Sequence, residues 1–114
     1  MRNKKEKNIK LIIATPCPFC KHVTDFIEER DLNEVEILET YWDREVHQSL
    51  KSKYGKTQVP LLLINDQPLY ESQDIDGFRN IYPKMKEVIL LKNNNEYEDI
   101  DFYSEIVSAK KRDN

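Results

Sequence analysis

Ile9-Lys10-Leu11-Ile12-Ile13-Ala14-Thr15-Pro16-Cys17-Pro18-Phe19-Cys20 passes from an apolar, β-branched run through a proline break into a pair of thiols. These are the only two cysteines in the 114-residue chain. The run before them reads as a buried strand over residues 9–14. After them Phe19, Val23, Phe26 and Ile27 recur at helical spacing, with Lys21, Asp25, Glu28 and Glu29 on the opposite face. A Cys-x-x-Cys pair where a strand turns into a helix suits reversible disulfide chemistry.

Working outward, Val35 to Glu39 reads as a second strand. A second helix spans Asp43 to Tyr54, with Val46, Leu50 and Tyr54 four apart and Gly55 as its stop. Val59-Pro60-Leu61-Leu62-Leu63-Ile64 is a third strand with a proline near its start. Asn65-Asp66-Gln67 makes a tight turn, and Pro68 to Glu71 returns as a short fourth strand. A third helix is expected from Ser72 to Tyr82, with Ile75, Phe78, Ile81 and Tyr82 inward. Beyond Pro83, residues 85–91 fit either more helix or an apolar strand. Tyr97, Ile100, Tyr103, Ile106 and Val107 suggest a final amphipathic helix. This is an α/β order, its first two strands parallel through a right-handed crossover and its last two antiparallel. It divides as a basic N-terminal tail (1–8), one domain (9–91) and a C-terminal extension (92–114).

Composition narrows the function classes. Net charge is −3, with 18 basic and 21 acidic side chains, which is not the footprint of a nucleic-acid binder. No apolar run reaches membrane-spanning length. The uncharged stretch from Leu11 to Ala14 is too short for a signal-peptide core, and two cysteines make no disulfide framework. A cytoplasmic monomer without membrane contact is expected, its thiols cycling rather than permanently bridged.

A thiol reacts as its thiolate, and at neutral pH an ordinary thiol is only slightly ionised. A sulfur at a helix N-terminus meets free backbone N–H donors and the positive end of the helix dipole, which favour negative charge there. Cys17, at the helix mouth, is therefore the expected attacker, and Cys20, one turn in, the shielded resolving thiol. Pro18 fits the first helical turn, where its missing N–H costs nothing. His22 and His47 stand at spacing unrelated to the cysteines, so no metal site is expected.

Three motifs, in order, resemble the glutaredoxin family of the thioredoxin fold: Cys17-Pro18-Phe19-Cys20, Thr57-Gln58-Val59-Pro60, and Tyr70-Glu71-Ser72-Gln73-Asp74-Ile75. The likeness covers roughly residues 9–83. It implies a thioredoxin-like fold, a four-stranded mixed sheet flanked by helices, with an extra C-terminal helical tail. It also implies a cis Val59-Pro60 bond beside the cysteines, with the backbone of Val59 meeting the cysteinyl part of glutathione. The Glu-Ser motif is similar to that of glutathione transferase N-terminal domains. It gives Ser72 a double role as helix cap and ligand of the γ-glutamyl carboxylate, with Glu71 or Asp74 facing the ammonium group. Ala14 stands where many members have a lysine for the glycyl carboxylate, a role that would fall to Lys56 or Gln58. Phe19 stands where many have tyrosine, offering stacking without a hydroxyl, and Tyr70-Glu71 replaces a common Gly-Gly pair.

The implied activity is glutathione-dependent thiol–disulfide exchange on glutathionylated or disulfide-containing proteins. Glutathione is the co-substrate and no cofactor is bound. Two alternatives stand beside it. One is an electron donor fed by thioredoxin reductase, for example to ribonucleotide reductase. The other is a glutathione-ligated iron–sulfur carrier, against which the stiffening Pro18 argues.

Overall fold

The computed structural model describes residues 7–55, 59–69 and 78–101. Within them β1 (Ile9–Thr15), α1 (Pro18–Glu29), β2 (Glu36–Tyr41), α2 (Arg44–Tyr54), β3 (Leu61–Ile64), β4 (Gln67–Pro68) and α3 (Phe78–Asn93) follow in that order. The strands form one mixed sheet, β2-β1-β3-β4. β1 runs parallel to β2 and antiparallel to β3, and β3 and β4 form a hairpin. The expected α/β thioredoxin-like architecture is what the chain adopts. No helix among the described residues is long and apolar enough to cross a membrane.

The period-two alternation of strands explains the two cores. Ile9, Leu11 and Ile13 of β1, with Leu62 and Ile64 of β3, face α1 and α3. Ile12, Leu61 and Leu63 point the other way, onto Leu50, Val46 and Tyr54 of α2. Both central strands are thus buried on both faces, which is why they read as continuous apolar runs. Fully burying each such side chain contributes about 1.5–3 kcal/mol.

Local chemistry sets the boundaries. Asp43 caps α2 by accepting the Val46 N–H at 2.9 Å, and Gly55 ends it in the left-handed conformation at φ 76°. The β3–β4 turn is tighter than expected. Asn65 and Asp66 alone occupy it, both at positive φ, and Gln67 already pairs with Ile64. β4 accordingly starts one residue early and ends at Pro68, although the Leu69 N–H still reaches the Leu62 carbonyl at 2.9 Å. β2 sits slightly later than expected and β3 begins at Leu61, after a bend at Val59-Pro60.

The third helix differs more. Its expected start at Ser72 lies outside the described residues, and it does not stop at Tyr82. It continues through Pro83 to Asn93, so residues 85–91 are helix rather than strand. An interior proline costs one hydrogen bond. The stripe Ile81, Met85, Val88 and Ile89, all buried, carries the helix across that gap. Helix resumes at residues 97–101, where Ile100 is fully buried in the same core as α1 and α3. Lys92, also buried, lays its ammonium 5.0 Å over the Tyr97 ring, and Lys7 pairs with Asp101 at 2.5 Å.

Candidate functional site

β1 delivers the site. Past Ile12 the strand loses its β3 partner but keeps β2 as far as Thr15: the Trp42 N–H donates to the Thr15 carbonyl at 3.2 Å, and the Thr15 hydroxyl to Glu39 at 3.3 Å. The chain then turns at Pro16, after a cis Thr15–Pro16 bond that the residues alone did not signal. Cys17, in extended backbone at φ −160°, is the N-cap of α1, and Pro18 opens the helix. Serine, threonine or aspartate usually fills that position with an oxygen. Here a sulfur does so, accepting the Cys20 N–H at 3.2 Å.

The two thiols, both free, occupy unlike surroundings. Cys17 is half-buried, and its S–H donates to the Val59 carbonyl at 3.8 Å. Cys20 is only 3 % exposed, packed with Val23, Phe26 and Ile27. Burial, reinforced by its hydrogen bond with Cys17, pushes the Cys20 thiol up from 9.0 to about 12, while a hydrogen bond with the Ala14 backbone pulls the other way. Cys20 is therefore a neutral thiol at physiological pH.

Across from the helix mouth the Val59–Pro60 peptide bond is cis, as expected for this position. Pro60 is buried, and Val59 is half-buried against both cores. Phe19, in the first turn of α1, leaves half its surface exposed. The structure thus gathers Cys17, Cys20, Val59 and Pro60 at the end of β1, with Phe19 in the adjoining turn. Lys56, Gln58, Glu71, Ser72 and Asp74 lie outside the described residues. Ala14 is buried, so that position is interior to the sheet rather than on the rim of the site.

Thr15, Glu39 and Trp42 frame the site without having been singled out as ligands. They became visible only through the β1–β2 register, which pairs Thr15 with Tyr41. His47 stacks edge-on against Trp42 at 5.6 Å. Among the described residues no three His, Cys, Asp or Glu side chains gather as a metal would require.

No curated protein matches the chain. The sequence model of the glutathione S-transferase N-terminal domain matches residues 11–77, a span that opens in β1, includes both cysteines and Pro60, and runs past β4. With that match over more than half its length, on a thioredoxin-like sheet, the chain belongs to the family of glutathione S-transferase N-terminal domains.

Proposed function

We propose that this protein is a glutathione-dependent thiol–disulfide oxidoreductase of glutaredoxin type, acting in a reducing compartment such as the cytoplasm. The observation that carries this reading is the inequality of the two thiols. Cys17 caps a helix with an N–H donor on its sulfur, whereas Cys20 is buried and protonated one turn below. A thiol pair built only for packing has no need of a sulfur at a helix N-cap. The family match supplies the glutathione link.

In the first step the Cys17 thiolate attacks the glutathione sulfur of a protein–glutathione mixed disulfide. The S–S bond breaks, the protein thiolate leaves, and Cys17 becomes disulfide-bonded to glutathione. A second glutathione thiolate then attacks the glutathione sulfur of that adduct. Cys17 leaves as thiolate, and oxidised glutathione carries away the two electrons' worth of oxidation. For a protein disulfide, Cys17 forms the mixed disulfide with the substrate and Cys20 then attacks the Cys17 sulfur. The substrate departs reduced, and the Cys17–Cys20 disulfide is reopened by two glutathiones. That closing step requires Cys20, whose thiol is pushed up in the reduced protein by burial and by its hydrogen bond with Cys17, to lose its proton. Val59, Pro60 and Phe19 line the approach to the sulfur, and Lys56, Gln58, Glu71, Ser72 and Asp74 are proposed to hold the glutathione ends.

A glutathione-coupled mixed-disulfide assay on the wild type, Cys17→Ser and Cys20→Ser tests the reading. Turnover should vanish in Cys17→Ser and persist in Cys20→Ser. Activity retained without Cys17 overturns it.

A further inference from the structure

β2 is an edge strand that the thiol chemistry leaves unexplained. Only its inner side faces β1, and its outer backbone groups have no ladder partner among the described residues. Its side chains are uncovered too: Ile37 is 40 % exposed, Leu38 39 % and Tyr41 68 %. Beside α2, Leu38 and Thr40 open onto a groove of about 380 Å³ that also touches Ile12, Val46 and Leu50.

Charge says what fits there. The stretch 31–43 carries Asp31, Glu34, Glu36, Glu39 and Asp43 and neither lysine nor arginine. Glu45 adds a further carboxylate to the groove, whose lining contains no cationic residue. Exposed edges normally invite pairing and are guarded against it by charge. Here the guard has one sign. A second copy laid on this strand adds carboxylates of the same sign to the same edge, which opposes self-pairing. A basic segment meets the opposite situation.

Position says what such a segment is for. In the register of the parallel pair Tyr41 is the partner of Thr15, two residues before Cys17. A chain laid along β2 is thereby led toward the reactive sulfur. We propose that β2 is a docking edge for the protein substrates of Cys17. It takes, by strand addition, an extended segment in which lysine or arginine alternates with apolar residues. Backbone hydrogen bonds to β2 supply the pairing, the groove beside α2 takes one row of side chains, and the carboxylates, Glu36 on the α2 face and Glu39 on the other, favour a segment that carries basic side chains. The role in catalysis rests on the thiol–disulfide reading; the binding does not.

The test therefore uses full-length protein with both cysteines changed to serine, so no chemistry intervenes. Fluorescence anisotropy follows a labelled peptide of about eight residues, longer than β2, alternating lysine with valine. A glutamate–valine counterpart and a lysine–valine peptide N-methylated on alternate amides complete the set. The lysine–valine peptide should bind saturably and more weakly as salt rises. Its affinity should fall by roughly tenfold or more in Glu36→Lys/Glu39→Lys and on N-methylation, and the glutamate peptide should not bind. Equal binding of the basic and acidic peptides, or indifference to N-methylation, overturns the proposal whether or not the charge-reversed variant folds. So does a dimer in sedimentation that is lost in Leu38→Asp, which assigns the edge to a second copy. Failure of the disulfide reading shows elsewhere, in turnover of the wild type.

Discussion

The backbone N–H of Cys20 donates to the sulfur of Cys17 across 3.2 Å, so the buried cysteine serves the half-buried one through its backbone as well as its thiol. A donor held there by the first turn of α1 stays in place when the sulfur becomes anionic, and charge-assisted bonds of this kind are the stronger ones. Replacing the Cys20 side chain leaves the donor intact. That is the physical reason a Cys20→Ser protein should keep reacting through Cys17.

The raised Cys20 thiol makes stability depend on alkaline pH. Folded protein holds this proton to about pH 12, whereas the unfolded chain releases it near 9.0. The contribution is complete below pH 9.0 and is lost as pH climbs through the window up to about 12. Urea midpoints of the reduced protein should fall with pH across that window. In Cys20→Ala the fall should be shallower, and identical slopes would count against a neutral buried thiol.

Phe19, in the first turn of α1 after Cys17, is 51 % open to solvent. Phe19→Ala should change stability by no more than about 1 kcal/mol, because little packing is lost. It should raise KM for a glutathione mixed disulfide roughly fivefold, the loss of one stacking contact worth about 1 kcal/mol. Steady-state kinetics and thermal melts separate the two effects.

α2 is held at both ends by single residues. Asp43→Ala removes the cap on the Val46 N–H and should cost about 1 kcal/mol. Gly55→Ala meets no atom within 4 Å but places a Cβ at φ +76°, a strain of about 1 kcal/mol. The sites are far apart in the helix, so chemical denaturation of the double variant should show the sum.

Ile100 lies beyond the matched family span yet is fully buried against the main core. Ile100→Ala should cost about 2–5 kcal/mol in denaturant unfolding, as large as a substitution within β1 or β3. A negligible loss would mean that this segment adds nothing to the fold's stability.

Much of this architecture was legible because it rests on local signals. The apolar runs 9–14 and 61–64, the stripe Phe19–Val23–Phe26–Ile27, and the Asp43 and Gly55 pair each state an element by its own spacing or cap. What was missed depended on tertiary context. Pro83 looks like a stop until Met85, Val88 and Ile89 are seen buried beyond it, where packing outweighs one lost hydrogen bond. Gln67 looks like a turn residue until its pairing with Ile64 appears. In the site, the unlike surroundings of Cys17 and Cys20 followed from the helix start, and the cis bond at Pro60 from resemblance. Glu39 and Trp42 had no local signature: strand register alone brings them to Thr15.

Cys17 is the sulfur proposed here to exchange with glutathione disulfides. The most direct measurement is to treat reduced wild-type protein and Cys20→Ser with limiting oxidised glutathione and locate the adduct by fragment mass spectrometry. Glutathione is expected on Cys17 in Cys20→Ser, and in the wild type the same adduct or a Cys17–Cys20 disulfide derived from it. Glutathione found on Cys20, or no adduct on Cys17 of the folded variant, would contradict it.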